Sequence, residues 1–322
     1  MADWESKSRR TLALAVLMLG GVVAAALSPL VGVAELSPEV LWRLRLPRLA
    51  AGLLAGGGLS LCGMCYQGVF RNELATPYTL GVSGGAALGV ALLVRLLPTG
   101  GTLLGVGLLP VAAFAGAVGA TALVMGLGRL SRGGTLSTTG LLLAGVAASF
   151  FFSSLIMFLN YLGTPGEMHQ VMRWLMGGLD VYDWREVTLL AALTLVGASL
   201  VLRRLEALDL LAIGEEYAAS RGVSVRRTLL RLHLAVALIV GGVVAVCGPI
   251  GFVGMVSPHV CRLLIGSSHR RLAWCSLAFG ACFLVLCDTV GRLVTAPAEL
   301  PVGIVTALLG APFFVWLLLR RP

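Results

Sequence analysis

The sequence predicts an all-α polytopic membrane protein, a single transmembrane domain (residues 1–322) with about ten transmembrane helices. Hydrophobic residues make up 58% of its 322 positions and charged residues only 12%, whereas about a quarter of the residues in an ordinary soluble domain are charged. Apolar runs near the length that an α-helix needs to cross a bilayer recur along the chain. Because backbone polar groups find no water in lipid, these runs are expected to be helical.

Ten apolar runs, separated by charged residues, proline and glycine, give the candidate spans. The first also fits a cleavable signal peptide, because Lys7, Arg9 and Arg10 precede it. A retained helix is favoured because it keeps the number of crossings even. The eighth is too short to cross alone, so it is expected to combine with the irregular stretch 248–257. The runs are residues 11–30, 47–69, 79–97, 106–127, 138–161, 185–203, 228–247, 257–266, 272–292 and 301–319.

The distribution of basic residues predicts the orientation in the membrane. With the N-terminal tail, residues 1–10, placed in the cytoplasm, 17 of the 24 lysines and arginines face the cytoplasm and 7 face outside. Cytoplasmic loops carry such an excess of positive charge, so both termini are expected to be cytoplasmic. The basic residues stand singly or in pairs between apolar runs, which argues against a nucleic-acid partner despite the net charge of +9.

The predicted cytoplasmic connection 206–227 contains the pattern of a short helix. Glu215 and Glu216 begin it, Arg221 ends it and Gly222 follows, an order that suits the helix dipole and a glycine stop. A short rigid helix here could fit a groove on a separate motor protein and transmit its motion. A solvated amphipathic loop explains the pattern equally well.

Six segments carry a more specific signal because they match one family pattern in the same order. They are residues 44–48 (LRLPR), 67–77 (QGVFRNELATP), 80–89 (LGVSGGAALG), 208–223 (LDLLAIGEEYAASRGV), 251–262 (GFVGMVSPHVCR) and 299–312 (ELPVGIVTALLGAP). Together they resemble the iron-chelate and cobalamin permease family of type II ATP-binding-cassette importers, and the resemblance covers roughly residues 40–320.

The resemblance implies a permease subunit that passes a metal chelate from a periplasmic binding protein to the cytoplasm across the bacterial inner membrane. It implies a homodimer in the lipid bilayer with the translocation path at the interface between the two copies, and two ATP-binding-cassette ATPase subunits. The chain itself is expected to be no enzyme and to hold no metal or cofactor, since ATP and Mg bind the ATPase. Iron-siderophore, haem and cobalamin all remain open as cargo.

The resemblance also assigns two sets of residues to partner proteins. Arg45, Arg48 and Arg292 are expected to dock the binding protein, since arginine pairs well with carboxylates. Lipid headgroup anchoring is the alternative for the first two, and an ion pair with Asp288, one helical turn earlier, is the alternative for Arg292. The set expected to couple to the ATPase is Leu211, Gly214, Glu215, Glu216, Ala218, Arg221 and Gly222.

A third set is expected to form the translocation gate: Asn72, Leu74, Ser137, Thr138 and Thr139. Their amide and hydroxyl groups can exchange hydrogen bonds with water and cargo without fixing a charge, and Ser137 is a candidate N-cap. Glu73 departs from the proline usual in this family, which adds a charge and removes a fixed φ. The gate geometry is therefore left open.

Two further interpretations can be tested against a structure. The order Ser257-Pro258 predicts an N-cap followed by the first residue of a helix. An ion-coupled secondary transporter of a small solute is the alternative function, and it needs an acidic residue or histidine at the membrane midplane. Asp288 is the one candidate, and its place toward the outer end of its helix disfavours that function.

Overall fold

The computed structural model describes residues 16, 18–31, 37–97, 102–103, 106–130, 138–296 and 298–320. Within these ranges the chain is helical apart from loops and one small hairpin of two strands, β1 (Thr102–Leu103) and β2 (Val106–Gly107). The helices are α1 (Met18–Leu30), α2 (Pro38–Phe70), α3 (Val82–Leu96), α4 (Leu108–Leu130), α5 (Thr138–Leu162), α6 (Pro165–Leu175), α7 (Trp184–Leu202), α8 (Leu205–Ile213), α9 (Glu215–Ser220), α10 (Val225–Cys247), α11 (Val253–Ile265), α12 (His269–Val294) and α13 (Val302–Arg320).

Ten of these helices are apolar, which confirms the predicted number of spans. Six are long and apolar enough to cross a membrane by themselves, and α1, α3, α11 and α13 are shorter apolar helices. The remaining helices, α6, α8 and α9, are short connections between spans. Ser137, the N-cap predicted for α5, lies outside the described residues.

The helix bundle has an outer end and an inner end, each marked by its own residues. The outer end carries Arg48 and α6, which line one cavity together. The inner end carries α8, which is tied to the first residue of α12 by a contact between Asp209 and His269. The distribution of basic residues predicts that the outer end faces the periplasm.

Helix α2 forms the centre of the bundle, because its inner half is buried on every side. All residues from Ala55 to Phe70 are buried, so this half packs against protein rather than lipid. Its glycines allow close contact with neighbouring helices: a Cβ at Gly56 would overlap the backbone of Gly280 in α12. Small residues at such crossings are the usual means of close packing between helices in membranes.

The crossing of α2 and α11 is tighter still and corrects one prediction. Helix α11 begins at Val253, so Ser257 and Pro258 lie inside it and do not start it. Proline lacks an N–H, so the carbonyl of Gly254, four residues earlier, loses its usual helical partner. That carbonyl faces Gly63 of α2, where even a Cβ would overlap it. The glycine pair leaves room for this carbonyl between the two helices.

The connection between α10 and α11 is an irregular stretch, residues 248–252, which enters the bundle. Helix α11 has 13 residues, about 20 Å at 1.5 Å per residue, so it spans only part of an apolar layer about 30 Å thick. Gly248 and Phe252 have positive φ values of 68° and 66°. The Ile250 N–H donates to the Tyr78 hydroxyl at 3.1 Å, which satisfies a buried backbone group as the interior of a membrane protein requires.

Candidate functional site

The predicted gate residues Asn72 and Leu74 lie in a loop at the inner end, directly after α2. The Asn72 side chain accepts a hydrogen bond from the Leu74 N–H at 2.9 Å and shapes the turn. Helix α2 ends at Phe70, and the next residue, Arg71, has a φ of 50° that turns the chain away from the helix axis. A cavity of about 570 Å³ opens between this loop and the end of α13, lined by Arg71, Asn72, Glu73, Leu74, Phe314, Val315 and Leu317.

Glu73 connects this gate loop to α11. Its carboxylate lies 3.4 Å from Nδ1 of the buried His259 and 3.7 Å from Nη1 of Arg262. Arg262 also donates to the Gln67 Oε1 at 2.9 Å, and the Gln67 amide donates to the Met255 carbonyl at 3.4 Å. The charge that replaces the family's proline thus lies within a network that joins the end of α2, the gate loop and α11.

The other predicted gate residues lie at the start of α5. Thr138 and Thr139 form its first turn and are half-buried and exposed, respectively. Neither is among the residues that line the cavity beside Asn72 and Leu74. Their role as a gate stays a prediction.

The predicted coupling segment folds as two short helices, α8 and α9, joined at Gly214. Ala218 is fully buried and Leu211 nearly so, and these two side chains anchor the segment. Arg221 follows the last residue of α9 and covers the Tyr217 ring, with its guanidinium carbon 5.3 Å from the ring centre. Gly222 has a φ of 83°, as the predicted glycine stop requires. The short helix predicted from the sequence is confirmed.

The surface of the coupling segment is open around Gly214. A Cβ at this glycine would meet no atom of the chain within 4 Å. Glu215 is half-buried and Glu216 is exposed at the first turn of α9, where negative charge is favoured by the helix dipole. In α8, the Asp209 carboxylate lies 2.6 Å from the ring Nδ1 of His269 and accepts a hydrogen bond from the backbone N–H of the same residue at 3.1 Å. This contact joins α8 to α12.

The three arginines predicted to dock a partner lie at the outer end, and each has a partner within the chain. Arg48 donates from Nε and Nη2 to Asp288 at 2.8–3.1 Å, and from Nη1 to Glu299 at 2.6 Å. The buried Arg45 donates to the Pro29 carbonyl at 2.7 Å. Their docking role stays a prediction, now with defined internal contacts.

Arg292 forms the ion pair with Asp288 that was the alternative predicted for it, and it makes further contacts. Its Nε lies 3.2 Å from the Asp288 carboxylate. Its Nη1 and Nη2 donate to the Val31 carbonyl at 2.9 Å and the Ser28 hydroxyl at 2.8 Å. Asp288 therefore lies between two guanidinium groups. With 6% of its side chain exposed, it is a structural counter-ion of this outer cluster.

A second cavity, of about 330 Å³, opens beside Arg48 at the outer end. Its polar lining includes Arg48, Arg173, Asp180, Tyr182 and Glu299. Burial raises the pKa of Tyr182, and the nearby Asp180 adds to the rise, so the phenol stays protonated at neutral pH and can donate a hydrogen bond. Sequence reasoning missed this cavity and the role of Glu299, because Arg48 and Glu299 are 251 positions apart.

A family model described as the FecCD transport family matches residues 11–320. The chain belongs to this family. A FecCD chain is a transport permease, and the helices that are long and apolar enough to cross a membrane agree with that class.

Curated relatives of this FecCD chain extend over nearly its whole length. It is 38% identical over 325 residues to the hemin transport system permease protein of Yersinia pestis, with 96% of each chain covered. It is 39% identical over 296 residues to the vitamin B12 import system permease protein of Vibrio cholerae, covering 92% of this chain and 87% of that one. The identity to the corresponding Salmonella typhi protein is 42% over 285 residues, covering 87% and 83%.

A solved structure agrees with the fold of the FecCD chain. It is described as an inward-facing conformation of a metal-chelate type ABC transporter, and it superposes with a TM-score of 0.82 at 32% sequence identity. The match covers 98% of this chain and all of the other. The all-helical architecture is therefore that of an ATP-binding-cassette permease.

Proposed function

We propose that this chain is the permease subunit of an ATP-driven importer that moves a metal chelate from a periplasmic binding protein to the cytoplasm. The observation that carries the proposal is the pair of short helices, α8 and α9, at the inner end of the bundle. They belong to a chain that matches the transport family over nearly its whole length. Helix α9 has only six residues, and an isolated helix of that length is unstable in water. Its rigid presentation by Ala218 and Gly222 is best explained by a partner that binds it.

In this proposal two copies form the translocation path at their interface, so that a second copy completes the inner cavity beside α13. Two ATPase subunits bind α8 and α9 and carry the ATP and Mg, so this chain needs no cofactor. The periplasmic binding protein docks at the outer end. Both termini lie in the cytoplasm, and the membrane is the bacterial inner membrane.

The structure gives Asp288, the candidate ion-coupling residue of a secondary transporter, a different role. A coupling carboxylate must exchange its ion during transport, but Asp288 is paired with both Arg48 and Arg292. Two fixed guanidinium groups leave this carboxylate no net negative charge to offer a cation. A structural role therefore explains Asp288 better than ion coupling does.

The cargo is proposed from the relatives, which carry hemin and vitamin B12. The test is uptake into proteoliposomes that contain the chain and its ATPase, with radiolabelled cyanocobalamin, hemin or a ferric siderophore presented on a binding protein. Uptake of one of them should require ATP, stop with a catalytically inactive ATPase and continue when ionophores dissipate ion gradients. Uptake that ionophores abolish and ATP does not drive would overturn the proposal.

Bulky or charged replacements at Gly214 or Glu215 are expected to uncouple ATP hydrolysis from transport. A Cβ at Gly214 meets open space in this chain, so we expect Gly214→Trp to fold and its added bulk to clash with the ATPase. Uptake should fall by about tenfold, the loss of about 1.4 kcal/mol of coupling free energy, while ATP hydrolysis continues. Both rates are measured in the same proteoliposomes.

Gly119 provides the matched control for this substitution. It lies midway along α4, away from both ends of the bundle, and its Cβ position is also free of neighbours within 4 Å. Gly119→Trp should therefore leave uptake and ATP hydrolysis unchanged. Normal uptake by Gly214→Trp would show that the coupling contact lies elsewhere.

A further inference from the structure

Arg48 presents two edges to two carboxylates that differ in their surroundings. Its inner edge, Nε and Nη2, is held by Asp288, which is 6% exposed and is also paired with Arg292. Its outer edge, Nη1, is held by Glu299, whose side chain is 48% exposed. Arg48 thus has one fixed partner and one partner at the surface.

The outer contact can be exchanged more readily than the inner one. Among the described residues, Arg48 is the only ion-pair partner of Glu299. An ion pair with one half-exposed partner gains little over hydration, whereas the buried pair with Asp288 is costly to break. A competing carboxylate would therefore replace Glu299 and leave Asp288 in place.

The cavity of about 330 Å³ beside this pair provides the space for a competing side chain. Two arginines, Arg48 and Arg173, and two carboxylates, Asp180 and Glu299, line it, so its charge is balanced while Glu299 points inward. If Glu299 swings into solvent, the lining keeps a surplus positive charge. A carboxylate that enters the cavity restores the balance and can use the bidentate geometry that arginine favours.

We propose that Glu299 is an internal stand-in for a partner's carboxylate: it holds the outer edge of Arg48 in the free transporter and gives way when an acidic side chain of the binding protein enters the cavity. The inference rests on the proposed docking of that protein at the outer end. It also gives docking a direct route to α13, because Glu299 lies three residues before the first residue of this helix.

Glu299→Gln tests the proposal, because it removes the competing charge and leaves Arg48 in place. The chain is assembled with its ATPase in nanodiscs, and the purified periplasmic binding protein that supports uptake in the proteoliposome assay is the probe in biolayer interferometry. We expect Glu299→Gln to bind it about fivefold more tightly, mainly through faster association at low salt. Unchanged or weaker binding would overturn the proposal.

Two controls separate this outcome from general effects of charge. Glu39→Gln removes another carboxylate at the outer end, one paired with Arg43 where both side chains are 74% exposed, and should leave binding unchanged. In an Arg48→Gln background, Glu299→Gln should have no effect, because the two residues act through one contact. An equal gain from Glu39→Gln, or a gain that persists without Arg48, would contradict the exchange.

The wild-type chain distinguishes failure of this inference from failure of the proposed function. If it binds the probe and Glu299→Gln changes nothing, docking stands and the stand-in role is wrong. If the wild-type chain shows no binding in the nanodisc assay, docking at the outer end is wrong, and the stand-in role falls with it. Each variant is first checked for a single symmetric peak in size-exclusion chromatography.

Discussion

Asp288→Asn is expected to lower the free energy of unfolding by about 3–5 kcal/mol, because it removes one charge from a buried ion cluster. Arg48 and Arg292 both pair with this carboxylate, and about nine-tenths of each guanidinium-bearing side chain is shielded from solvent. An asparagine can accept a hydrogen bond but cannot balance two positive charges. The thermal midpoint in detergent, followed by tryptophan fluorescence, should fall sharply.

The exposed pair between Glu39 and Arg43 gives a matched comparison for this prediction. Both side chains are 74% exposed, and exposed pairs contribute only about 0.2–1 kcal/mol. Glu39→Gln should therefore leave the midpoint nearly unchanged. Equal midpoints for Asp288→Asn and the wild-type chain would show that the outer cluster is not what holds α2 and α12 together.

Gly63→Ala should separate α2 from α11 and abolish uptake. Its new methyl group would overlap the Gly254 carbonyl and lie 2.7 Å from the Gly254 Cα. Backbone atoms on both sides cannot move aside as a flexible side chain does, so we expect a cost at or above the usual 1–3 kcal/mol for overpacking. The displaced α11 carries His259 and Arg262, so the contacts to Glu73 at the inner loop are lost with it.

The comparison for Gly63 is Gly119, on the exposed face of α4, where an added Cβ has no neighbour within 4 Å. Gly119→Ala should be neutral or should stabilise the helix by up to about 1 kcal/mol. Uptake and thermal midpoint are measured for both variants. Wild-type behaviour of Gly63→Ala would mean that the two helices do not cross at these glycines.

Hydropathy and local sequence patterns predict the structural features that are determined by residues close together in the chain. Ten apolar runs became ten apolar helices because lipid leaves the backbone no alternative to the helix. The short helix α9 was predicted from Glu215, Arg221 and Gly222 because its end signals lie within eight positions. The pair between Arg292 and Asp288 was among the alternatives for the same reason, since residues four apart meet on a helix.

Contacts between residues far apart in the sequence could not be predicted from local patterns. The pairing of Arg48 with Glu299 joins positions 251 apart, and no periodicity connects them. The start of α11 was placed at Ser257-Pro258 because this order is typical of a helix N-terminus. The helix starts at Val253 instead, and the carbonyl of Gly254 in its first turn packs on Gly63 of α2, a residue on another helix that local signals cannot report.

One hydrogen bond joins the irregular stretch between α10 and α11 to the segment that follows the inner loop. The Ile250 N–H is held by the hydroxyl of Tyr78, which comes four residues after Leu74. Ile250 is fully buried, so its amide hydrogen can exchange with solvent deuterium only when its contact with Tyr78 opens and water enters. The exchange rate at this single amide therefore measures how often the stretch between α10 and α11 opens to water.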